Sequence, residues 1–98
     1  KAMPAFGVYA VRLDFCDEAG PRNLAGVANY GVRPSFGSGS EPVLEVHLLD
    51  IEAQGYGRPV AVRFIDFIRA EQRFETPQAL QEQIARDVAE ARARLARN

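Results

Sequence analysis

The hydrophobic repeat changes once along this chain, and that change limits the fold more than any other feature. Up to Arg69 apolar residues recur every second position; beyond Thr76 and Pro77 they recur about every 3.6. Strands first and one helix last indicate an α+β chain, or a mostly β one with a helix laid on it. In "GVYAVRLDF", residues 7–15, Tyr9, Val11, Leu13 and Phe15 share one face, while Ala10, Arg12 and Asp14 share the other. That is the pattern of a half-buried strand. "CDEAGPRN" turns at Gly20 and Pro21, and "LAGVANYG" resumes as a second strand beside the first. Gly26 inside it marks a bulge or a close approach. "VRPSFGSGSEP" reads as an exposed loop, "VLEVHLLD" as a third strand, and Arg58 to Arg69 as a fourth. Alternation fails around "FIDFI", as in a bulged strand or one buried on both sides.

Thr76 followed by Pro77 is a helix N-cap and first-turn pair. Leu80, Ile84, Val88, Ala91 and Leu95 then form one apolar seam, with Glu82–Arg86 and Glu90–Arg94 on the wet side. Residues 1–98 are expected to form one domain, with strands over about 6–69 and a helix over about 77–96. Twelve basic residues face thirteen acidic ones, so no surplus of positive charge recruits nucleic acid or an anionic membrane. A small barrel gripping single-stranded nucleic acid would need a basic, aromatic groove. No apolar run is long enough to span a bilayer. Cys16 is the only cysteine, which excludes an internal disulfide and suits a reducing, cytoplasmic setting.

The third strand carries an anomaly. Leu44, Val46 and Leu48 point towards a core, which puts Val43, Glu45, His47 and Leu49 on the opposite face. Glu45 and the lone histidine are then neighbours framed by apolar residues. Either this face is partly solvated, or it is a pocket wall where Glu45 serves as a general base. The pattern does not choose. "RAEQRF" raises a similar pair of readings: Phe74 staples the first helical turn, or Arg69, Arg73 and Phe74 make a platform for a planar or anionic ligand. Tyr56 in "GYG" is a turn residue or a ring against a base. His47 has no second histidine or cysteine at ligand spacing, so a zinc site is not expected.

"GVYAVRL", "GVANYGVRPSFG", "LEVHLLD" and "YGRPVAVRFIDFIRAEQRFETPQALQEQIARDVAEAR" resemble, in order and spacing, the riboflavin kinase module of bacterial bifunctional riboflavin kinase/FAD synthetases. The resemblance covers essentially the whole chain. It implies an antiparallel Greek-key barrel with a C-terminal helix, and phosphoryl transfer from ATP to the 5′-hydroxyl of riboflavin, giving FMN with Mg²⁺ assistance. Glu45 matches the glutamate of the family's "LE-x-H" strand, its base. His47 and Tyr56 match residues on the ATP side, and Arg69, Gln72 and Phe74 fall in the flavin-holding "R-x-E-x-x-F" segment. The family's Pro-Thr-Ala-Asn motif, which holds the metal, does not occur here; it is expected upstream of Lys1, as is an adenylyltransferase domain. The resemblance thus implies a fragment with an incomplete barrel, little kinase activity alone, and an exposed edge open to self-association. The alternative is a flavin- or nucleotide-binding barrel that kept the fold and lost the chemistry.

Overall fold

The computed structural model describes residues 5–18, 20–35, 39–51 and 58–97, and these form a four-stranded antiparallel sheet with one helix across it. The elements are β1 (Gly7–Phe15), β2 (Leu24–Ser35), β3 (Gly39–Leu48), β4 (Val60–Arg69) and α1 (Pro77–Ala96). Their order across the sheet is β3-β2-β1-β4. The fourth strand returns beside the first, which is Greek-key order. The mostly β class and the C-terminal helix follow the sequence reading. Among the described residues the sheet is open, with β3 and β4 at its edges.

Central strand β1 is buried on both faces from Gly7 to Val11, where one was expected, while Arg12 and Asp14 stay half-buried on the outer face. Tyr9 and Val11 pack with Ala28 and Tyr30, flanked by Val46 and Val62. The rings of Phe64 and Phe67 meet Tyr9 edge-on at 4.8 and 5.2 Å. On the other face Ala10 is fully buried under Ala91 and Leu95. The helix covers what the alternation assigned to solvent. Only an alanine fits there, because a helix must approach the sheet closely.

The irregular "FIDFI" is a bulged strand, one of the two readings its pattern allows. Pairing steps from Ala10–Asp66 to Val11–Phe64 and from Val8–Arg69 to Tyr9–Phe67, which leaves Ile65 and Ile68 unpaired in the ladder. Both pack against the cluster beneath the helix. Each bulge therefore turns an extra apolar side chain towards α1. Gly26 is in register on both sides and is not bulged. A Cβ there would meet the His47 carbonyl oxygen at 3.2 Å and Val11 at 3.3 Å, so the close-approach reading holds.

The loop expected over residues 32–42 is instead, at 32–35 and 39–42, the end of one strand and the start of the next; 36–38 lie outside the described residues. Val32 pairs with Pro42, Arg33 with Glu41 and Ser35 with Gly39. Two prolines suggested a loop. Pro34 is tolerated because β1 reaches only to Tyr30, so this end of β2 needs hydrogen bonds on one side alone, and Pro42 lies on β3, an edge strand among the described residues.

The helix starts where the sequence places it. Thr76 Oγ1 accepts from the Ala79 N–H at 3.0 Å, and Pro77 follows in the first turn. Its seam, however, divides. Ala91 and Leu95 are buried on the sheet, whereas Leu80 and Ile84 remain 41% and 47% exposed. Arg94 clamps the packed half, donating to the Phe67 carbonyl at 2.7 Å and pairing with Glu90 at 2.7 Å and Asp66 at 3.2 Å. Arg86, expected to face Glu82, donates to Gln83.

Candidate active site

The divided seam leaves a groove between the sheet and the first turns of α1. Its volume is about 1010 Å³, the upper end of what small-molecule sites occupy. One row of residues crosses its floor, one from each strand: Glu45 pairs with Asn29, Asn29 with Val8, and Val8 with Arg69. The row spans three inter-strand steps, roughly 14 Å at about 4.8 Å per step. Leu80, Ile84, Asp87 and Val88 line the helix side, and Glu71 to Phe74 close one end.

Glu45 and His47 both line this groove and are exposed to it. Period two placed them correctly on the face opposite Leu44 and Val46. On the other face Val46 packs against the core cluster as expected and Leu48 is half-buried, whereas Leu44 is 39% exposed. Tyr56 lies outside the described residues.

Arg69 is held in a fixed pose. Its Nε and Nη2 donate to the two carboxylate oxygens of Asp87 at 2.9 and 2.8 Å, and Nη1 donates to the Ala70 carbonyl at 3.0 Å. Asp87 is only 4% exposed and accepts a third bond from Gln83 at 3.0 Å. The guanidinium carbon sits 5.8 Å from the centroid of Phe74. The forked edge is thus committed inside the protein, and the groove receives a flat cation beside a ring. Gln72 and Arg73 line the same end as exposed side chains. Glu71 reaches back over the sheet: a Cβ on Gly31 would fall on its carboxylate. Glycine at 31 is what lets that acidic group lie over β2.

Among the described residues no group of three or more His, Cys, Asp or Glu side chains comes together to hold a metal ion. The donor set for a bound cation does not fit here, and no step is assigned to one. No helix of the described residues is long and apolar enough to cross a membrane.

The riboflavin kinase family model, Flavokinase, matches residues 1–95. The chain belongs to the riboflavin kinase family. It is 43% identical over 93 residues to the bifunctional riboflavin kinase/FMN adenylyltransferase of Pseudomonas fluorescens, covering 95% of this chain and 29% of that protein. The protein of the same description from Escherichia coli K12 is 46% identical over 92 residues, covering 94% and 28%. The chain therefore spans less than a third of the length of these riboflavin kinase relatives. A crystal structure described as a macrolide-efflux protein from Streptococcus pneumoniae superposes with a TM-score of 0.78 at 30% identity, covering 93% of this chain and 28% of that one.

Two groove residues went unnoticed in the sequence. Asp87 stands three places beyond Ile84 and four before Ala91, a charge at a seam position, which was the readable sign of a buried partner. Asn29 shares the face of Ala25 and Val27, an amide among small apolar residues.

Proposed function

We propose that this chain is part of a riboflavin kinase, and that the groove takes riboflavin, with ATP and Mg²⁺ as the other reactants. One observation carries the reading: a strand carboxylate and the Arg69–Phe74 pair lie at opposite ends of one residue row in a single groove. The isoalloxazine ring stacks at the Arg69, Gln72 and Phe74 end, and the polyol tail runs along the row to Glu45. There the carboxylate takes the proton of the 5′-hydroxyl as that oxygen bonds to the terminal phosphorus of ATP and the bond to ADP breaks. Val8, Val27 and Val32 line the path and keep water from competing for the phosphoryl group. His47 and Tyr56 serve the nucleotide side. A divalent ion would supply neutralisation of phosphate charge, and no described residue is assigned to hold it.

In the parent protein this activity precedes adenylylation of FMN, as the double description of the relatives suggests. The macrolide-efflux description belongs to a neighbour of which 28% is matched, and is not carried over. A cytoplasmic setting agrees with the free Cys16. The open edges at β3 and β4 support self-association of this piece, which sedimentation at rising concentration tests.

Glu45→Gln in the intact parent protein is the decisive variant. Turnover should fall on the order of a hundredfold or more while riboflavin binding, read by flavin fluorescence, is kept. Undiminished turnover overturns the assignment of the base. Turnover absent in the wild-type parent leaves only the binding-module alternative.

A further inference from the structure

Asn29 Oδ1 is, among the described residues, the buried side-chain nitrogen or oxygen without a hydrogen-bond partner. Buried polar atoms are paired in the great majority of cases, so an orphan at a pocket wall calls for a physical cause. Asn29 lines the groove and sits directly between Glu45 on β3 and Val8 on β1. Its other neighbours along the same face are Val27 and Gly31, neither of which offers a side-chain donor. The oxygen is thus a buried acceptor within the groove wall, one strand away from the carboxylate, and the side chain must turn for it to meet a ligand hydroxyl.

We propose that Asn29 reads the polyol tail of the substrate: its side-chain oxygen accepts from a secondary hydroxyl while Glu45 holds the terminal one. The inference rests on the groove being the riboflavin site, and it adds a specificity contact to that reading. Directly opposed residues on paired strands lie about 4.5–5.5 Å apart, so successive hydroxyls of one chain can reach both. The flat ring belongs to the far end, by Arg69 and Phe74, and makes no demand on Asn29. A neutral amide also suits the position, because a second carboxylate opposite Glu45 would hinder its ionisation. A site that pairs a substrate hydroxyl discriminates strongly against an analogue lacking it.

The test uses the intact parent protein with two probes, riboflavin and lumiflavin, which carries a methyl group in place of the polyol. Binding is followed by fluorescence quenching, and folding by thermal melting. Asn29→Ala should raise the Kd for riboflavin about tenfold, the loss of one hydrogen bond, and move that for lumiflavin less than about twofold. Asn29→Leu, close in shape and without the orphan oxygen, should weaken riboflavin binding similarly while raising the melting temperature. Opposite signs in binding and stability are the mark of a group kept for a ligand. Equal shifts for both probes, no shift for either, or a lower melting temperature or failure to fold for Asn29→Leu overturns the proposal while leaving the flavin reading intact. Absence of riboflavin binding to the wild-type protein removes both.

Discussion

Replacing Asp87 by alanine removes the acceptor of three hydrogen bonds and strands a guanidinium beneath the helix. Breaking one side of a buried ion pair costs about 3–5 kcal/mol. The Arg69 side chain keeps 19% exposure and its bond to the Ala70 carbonyl, which lets water and backbone take up part of the charge. The expected cost is therefore at the lower end, about 2–3 kcal/mol. A domain of this size has only about 5–15 kcal/mol in total. With a urea slope of about 1–3 kcal/mol/M, the midpoint should fall by roughly 1–2 M. Arg69→Ala should cost at least as much, since it leaves the Asp87 carboxylate, only 4% exposed, with the single bond from Gln83. The double variant should then show a coupling of about 2 kcal/mol. Urea unfolding of the four proteins, followed by circular dichroism, gives the cycle. A coupling below about 0.5 kcal/mol would mean that the pair is a solvent-screened contact and not a fixed strut.

The divided helix seam predicts unequal penalties at two leucines. Leu95→Ala, in the packed half, should cost about 2–5 kcal/mol in urea unfolding, and Leu80→Ala, at the groove, less than about 1 kcal/mol; equal costs would contradict the division. Acid sensitivity is expected at the β1–β2 turn. The Asn23 backbone N–H and Arg63 hold the Asp14 carboxyl below its ordinary range, and the forked bonds from Arg58 do the same for Asp17. Their folded pKa values lie below the unfolded value of about 3.9, so this stability is complete above that pH and is lost as pH falls through the folded values. Asp17→Asn should flatten the decline of the urea midpoint between about pH 5 and 2.5; an unchanged slope would refute the assignment.

Local periodicity carried most of the fold. Strands β1 and β4, the helix start at Thr76 and an irregularity within "FIDFI" follow from spacing and residue type over a few positions; the register shows it to be two bulges, at Ile65 and Ile68. What spacing could not reveal was which faces a distant element covers. Ala10 reads as solvent-facing because its strand neighbours Arg12 and Asp14 are polar, yet it is buried by a helix some eighty residues later, through Ala91. The same blindness produced the continuous seam over Leu80 and Ile84. The prolines at 34 and 42 read as loop markers because a strand end or edge strand that lacks a partner on one side is a property of the assembled sheet. For the site, the period-two rule put Glu45 and His47 on one face, and the resemblance brought in Arg69, Gln72 and Phe74. Asp87 and Asn29 were visible as polar residues at apolar positions, but their roles depend on partners 18 and 16 positions away, which no local window joins.

The groove exists because the helix is prevented from lying flat. Leu80 and Ile84, already about half buried, would each gain about 1 kcal/mol by full burial, and the apolar side chains of Val8 and Val27 lie on the facing sheet. That closure is opposed by the Arg69–Asp87 pair, which bridges β4 and the third turn of α1. An ion pair in that position contributes less to stability than well-packed apolar residues of the same volume would. Local propensity, seam spacing and burial therefore all favour a closed sandwich, and one polar cluster opposes them. Such a conflict between levels is expected at functional sites and is otherwise rare. The strut, more than any single groove residue, is what keeps the Glu45 carboxylate at the wall of a cavity instead of under a packed helix.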